Sequence, residues 1–149
     1  MYSTFLIIHS LLRWVVIITA LWAVAKSFSG KSGNKPFTKK DGLPGLLFMI
    51  SMDTQLLVGI ILWFFLSPIT KPANISMTDP VSRFYGVEHA IMMTAAIAFA
   101  HIGRSMTKKG EDASKYRKSA IWFTASFIIM LAAIPWPFRN DIGRALWPF

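Results

Sequence analysis

Residues 3–25 read STFLIIHSLLRWVVIITALWAVA, an apolar run broken only by His9 and Arg13. A helix needs ~20 apolar residues to cross a ~30 Å hydrocarbon core, so this stretch is long enough to span one. Two further runs follow. Residues 43–66 are interrupted by Asp53 and Gln55, and residues 84–103 contain Glu88, His89 and His101. Residues 119–135 form a fourth, uncharged run that is short for a span unless Lys115 to Lys118 snorkel. The expected fold is all-α: an integral membrane four-helix bundle in a single transmembrane domain, followed by a tail over residues 136–149. Four spans leave no room for a separate soluble domain.

Composition narrows the classes further. The chain is 54% hydrophobic with a net charge of +9. Only 15% of residues are charged, against roughly 25% in ordinary soluble domains. Disorder is excluded, because it requires low hydrophobicity. The absence of cysteine excludes disulfides, thiolate zinc sites, iron–sulfur clusters and covalently attached c-type haem. A basic nucleic-acid binder and a membrane protein both fit the net charge, and the position of the charges separates them. The first connection carries Lys26, Lys31, Lys35, Lys39 and Lys40, and the third carries Arg104, Lys108, Lys109, Lys115, Arg117 and Lys118. The second connection and the tail have only Lys71, Arg83, Arg139 and Arg144. The positive-inside rule places the two crowded loops in the cytoplasm, with both termini and the 67–83 loop outside. The basic excess then reports orientation, and no nucleic-acid partner is expected. Trp63, Trp136 and Trp147 suit an outer aromatic belt. The first run lacks a positive leading segment and is too long for a signal-peptide core, so it reads as a retained helix.

The outer connection, with Pro68, Pro72 and Pro80, should be irregular. In the tail, Phe138, Ile142, Ala145 and Leu146 fall at helical spacing, which predicts a short amphipathic piece on the outer interface.

Ionisable residues inside spans are costly and point to function. At ~1.5 Å rise per residue, His9 lies ~9 Å and His89 ~8 Å into their helices, at matching depth in the outer leaflet. Two facing imidazoles on different helices can clamp one haem, or can simply hydrogen-bond neighbouring helices. Tyr85 and Met93 share the His89 face, and Ala96 and Ala100 continue it with small side chains that would leave room for a macrocycle. Arg13 and Asp53 each lie ~15 Å deep, which suggests a midplane ion pair between adjacent helices. Such a pair fixes register, or Arg13 holds a haem propionate or quinone oxygen while Asp53 or Gln55 relays a proton. Glu88 points away from His89 and can pair with Arg83 or take protons from a quinol. His101 should lie near the cytoplasmic surface beside Arg104, with no histidine available for a second haem. Met49, Met52, Met92 and Met93 read as core filling before soft metal ligands.

At these residues the chain resembles a family of small four-helix bacterial membrane proteins labelled "cytochrome B". The matching stretches are His9 to Trp14, Lys35 to Lys39, Gln55 to Gly59, Arg83 to His89, Ile102 to Ser105 and Ile134 to Trp136. The resemblance implies a bacterial inner-membrane protein with a b-type haem that transfers electrons. Family members are expected to carry a histidine where this chain has Asp53, which leaves His9 and His89 as the ligand pair. Leu6 to Trp14 is also similar to the first span of the bacterial protoporphyrinogen oxidases of haem synthesis. Three functional readings follow. The first is a haem b carrier between membrane quinone and a larger membrane or periplasmic redox partner. The second is a haem-free accessory subunit of a larger complex. The third is a porphyrin- or metal-handling protein.

Overall fold

The computed structural model describes residues 1–147, which are helical with no strand among them. Four helices form the fold: α1 (Tyr2–Ser32), α2 (Lys39–Leu66), α3 (Pro80–Met106) and α4 (Asp112–Ala133). The first three are long and apolar enough to cross a membrane. All four overrun the limits read from hydropathy, because helix periodicity continues past the apolar window into the charged turns. Lys26, Lys31, Lys39, Lys40, Arg104, Lys115, Arg117 and Lys118 therefore stand on helical extensions. The fourth helix starts seven positions earlier than its apolar run and stops before Pro135.

Each boundary has a local cause. Thr38 caps α2, with the Asp41 carboxylate accepting from the Thr38 backbone N–H at 2.8 Å, the reciprocal arrangement of a capping box. Asp79 caps α3 by accepting the Ser82 N–H at 2.8 Å, with Pro80 in the first helical position. The turns between α1 and α2 and between α3 and α4 are short, so neighbouring helices run antiparallel. α1 packs on α2 and α4, and α3 packs on the same two from the other side.

Val16, Ala20, Phe48, Met52, Ala96, Ala100, Phe123 and Met130 fill the centre. Close approach is bought with small residues: the Phe123 ring lies in the space that side chains at Gly45 and Gly103 would occupy, and Tyr116 does the same at Gly30. Buried hydroxyls join helices, Ser27 to Ser119 at 3.1 Å and Ser126 to the Ala96 carbonyl at 2.6 Å, as expected where small polar residues sit between helices. The outer surface at mid-length is apolar, with Ile18, Leu57, Ile91, Ile121 and Ile128 all exposed.

Two features depart from regular helix. The last turn of α2 (Leu62–Leu66) and the second turn of α3 (Phe84–Glu88) are wound as π-helix. The Trp63 indole N–H donates to the Gly86 carbonyl at 2.9 Å and ties these two wide turns together. The tail after α4 is not the amphipathic helix that its spacing predicts. Pro135 and Pro137 lack the N–H groups a helix needs, Asp141 adopts positive φ (63°), and the segment runs as successive turns. It folds back across the bundle, where Trp147 stacks on Trp14 with centroids 5.4 Å apart.

Candidate functional site

One cavity of about 480 Å³ opens between the helices at the end where α1 begins and the tail returns. Its volume falls within the ~300–1,000 Å³ range of small-molecule and cofactor sites. Its wall is mainly apolar, with Leu6, Met52, Leu56, Met93, Ile97 and Met130 among the lining residues. The polar side chains converging on it include His9, Arg13, Gln55, Tyr85, His89 and Arg144, with no acidic side chain in the lining.

His9 and His89 face each other here, with ring centroids 6.4 Å apart and planes at 66°. The matching depth read from sequence thus becomes direct proximity. His89 Nδ1 lies 2.9 Å from the Ala133 carbonyl. A carbonyl can only accept, so Nδ1 carries the proton and Nε2 keeps its lone pair. The Ala133 carbonyl is free for a definite reason. In a continuing helix its donor would be residue 137, and Pro137 has no N–H. Leu131 loses its donor to Pro135 in the same way, and the Trp136 indole N–H takes that carbonyl at 2.8 Å. The Pro135-Trp136-Pro137 run was therefore a legible signal for an oriented histidine, missed because prolines read as terminators.

His9 is set by α2. Gln55 donates to the His9 backbone carbonyl at 2.9 Å. A Cβ at Gly59 would lie 3.3 Å from His9 Cε1, so this glycine makes the space for the ring. His9 Nδ1 and Gln55 Oε1 are buried without hydrogen-bond partners. Gln55 is thus a positioning group for His9.

Arg13 does not pair with Asp53. Its Nη2 donates to the Leu146 carbonyl at 2.6 Å, its guanidinium lies over the Trp14 ring, and its buried Nε has no partner among the described residues. Asp53 instead accepts from His101 Nε2 at 2.8 Å. Counting residues set these two at different depths, but helical side chains lean towards their own N-terminus. On antiparallel α2 and α3, Asp53 and His101 therefore lean towards each other. The pair sits on the outside of the bundle, 41% and 47% exposed, away from the cavity. His101 is accordingly a hydrogen-bond partner of Asp53 and not an isolated residue beside Arg104. Glu88 accepts from Arg83 Nε at 2.8 Å and also lies off the cavity.

Ala96 and Ala100 do not widen the site. Both are fully buried and neither lines the cavity, whose small lining residues include Gly59 and Ala90. Arg144 and Tyr85 are the polar residues that the sequence did not single out as a pair. Arg144 Nε donates to the Tyr85 hydroxyl at 2.9 Å, and that hydroxyl donates to the Ile142 carbonyl at 2.5 Å. Among the described residues no three His, Asp or Glu side chains converge on a point that could hold an ion. Two histidines alone suffice only where a ligand brings the remaining donors.

No family model, curated protein or solved structure matches the chain.

Proposed function

We propose that the chain is a membrane protein that holds one b-type haem between His9 and His89 and passes electrons through it. The observation that carries this reading is the spacing of the two imidazoles across the cavity. Their ring centroids lie 6.4 Å apart on two different helices, and these two side chains would hold the haem iron. The Nδ1–H donated to Ala133 is the orienting contact a ligating histidine usually makes, and it leaves Nε2 available.

When bound, haem supplies a one-electron couple whose potential depends on axial ligands and surroundings. The chain's own part is to orient and enclose. Ala133 and Gly59 hold the two rings, Met52, Met93 and Ile97 exclude water, and Arg13 offers a guanidinium to an acidic or carbonyl oxygen. A quinone as exchange partner suits the opening of the cavity among apolar helices. The charge distribution supports an orientation with the basic turns cytoplasmic and both termini outside, and the resemblance to small bacterial membrane proteins implies the inner membrane.

The test is the visible spectrum of the detergent-purified protein expressed with ample haem. A red protein with a bis-histidine spectrum, lost in His9→Ala and in His89→Ala, is the expected result. A colourless preparation overturns the reading.

A haem-free accessory subunit is the second reading, favoured by the half-exposed Asp53–His101 pair on an otherwise apolar surface. Ionisable side chains facing lipid are costly, and a neighbouring protein would relieve the cost. Co-purification with one large complex, undisturbed in the double His9→Ala/His89→Ala variant, selects this reading.

A further inference from the structure

Among the described residues, the polar end of the cavity carries two arginines and no acidic side chain. Arg13 and Arg144 both line it, no Asp or Glu does, and among the described residues neither guanidinium has a carboxylate within 4.0 Å. Among the described residues, Arg13 contacts neutral groups, the Leu146 carbonyl and the Trp14 ring, and its buried Nε has no hydrogen-bond partner. Arg144 is likewise parked on neutral partners: the Tyr85 hydroxyl and, at 4.6 Å, the face of the Tyr85 ring. The two arginines come from opposite ends of the chain, one from α1 and one from the returning tail. Guanidinium groups pair with carboxylates in a planar two-point geometry that neutral oxygens do not satisfy.

Resting on the haem reading, we infer that the ligand enters with two carboxylate groups turned towards the tail, one for Arg13 and one for Arg144. The tail is then part of the binding site. Arg144 transfers from Tyr85 to the ligand, and the Leu146 carbonyl gives up or shares Arg13. Arg139 belongs to the same tail but bonds the Ala132 carbonyl and does not line the cavity, so it serves as the comparison.

The experiment compares haemin with haemin dimethyl ester, whose carboxylates are blocked, by titration into the full-length protein in detergent. The ligand is altered rather than the protein, so folding is not in question. Each charge-assisted pair contributes enough that the ester should bind about tenfold or more weakly than the acid. Arg144→Gln should weaken haemin about tenfold and leave the ester unchanged, Arg144→Lys should restore part of the loss, and Arg139→Gln should do neither. Equal affinity of acid and ester, both giving the bis-histidine spectrum, overturns the inference and leaves the haem reading standing. Binding of neither porphyrin overturns both.

Discussion

The two histidines owe their placement to residues that carry no chemistry of their own. Gly59 is one. A Cβ there would sit 3.3 Å from His9 Cε1, and a branched side chain has nowhere to go. Gly59→Val should therefore displace the His9 ring and convert the bis-histidine spectrum to a mono-histidine one, with helix content unchanged by circular dichroism. Equal spectra for both proteins would show that the ring is not held this way. His9, Arg13, Asp53 and His89 were legible as special residues, because ionisable groups in apolar runs stand out. Their partners were not. The expected Arg13–Asp53 pair failed because depth counting treats a residue as a point on the helix axis, whereas side chains reach several ångströms and lean in opposite senses on antiparallel helices. Arg144 escaped notice because nothing in a Pro-punctuated tail announces that it folds back.

Among the elements, the α1–α2 corner carries the most concentrated polar contacts. Lys26 Nζ lies 2.7 Å from the Asp41 carboxylate, which also accepts from the Thr38 backbone and hydroxyl. Burial alone would raise the Asp41 pKa, but the Lys26 and Thr38 contacts outweigh it and hold the carboxyl well below the usual range. A lowered folded-state pKa gives stability that is present above the unfolded value of ~3.9 and is lost as pH falls below it. Asp41→Asn should therefore cost about 1 kcal/mol at neutral pH, chiefly through the cap, since half-exposed Lys26 adds little. It should also flatten the loss of thermal stability between about pH 4 and pH 2, read from unfolding in detergent. An unchanged acid limb would remove Asp41 from the account. The existence of the four helices was plain from apolar runs of spanning length. Their ends were not, because charged residues propagate a helix as readily as apolar ones and hydropathy stops where the charges begin. The π turns had no sequence signal at all; the Trp63–Gly86 hydrogen bond joins one to the other.

At the scale of the molecule, the bundle is apolar outside, closed by small residues inside, and open at one end. The basic turns lie at the end away from the cavity, since the cavity takes its lining from the start of α1 and from the tail. On the proposed topology, with the basic turns cytoplasmic, the cavity mouth faces the outer side of the membrane. The chain contains no cysteine, so single-cysteine variants give clean probes of this. A cysteine at Lys35 should be protected from a membrane-impermeant maleimide in intact cells, and one at Asn74 should be labelled. The reverse pattern would invert the topology and place the mouth in the cytoplasm.

The docking of Leu146 on Arg13 and of Trp147 on Trp14 bears on how the protein is handled at the bench. A purification handle fused behind residue 149 loads the tail whose Leu146 and Trp147 dock on α1. A sample tagged there and one tagged in the turn between α1 and α2 are different reagents.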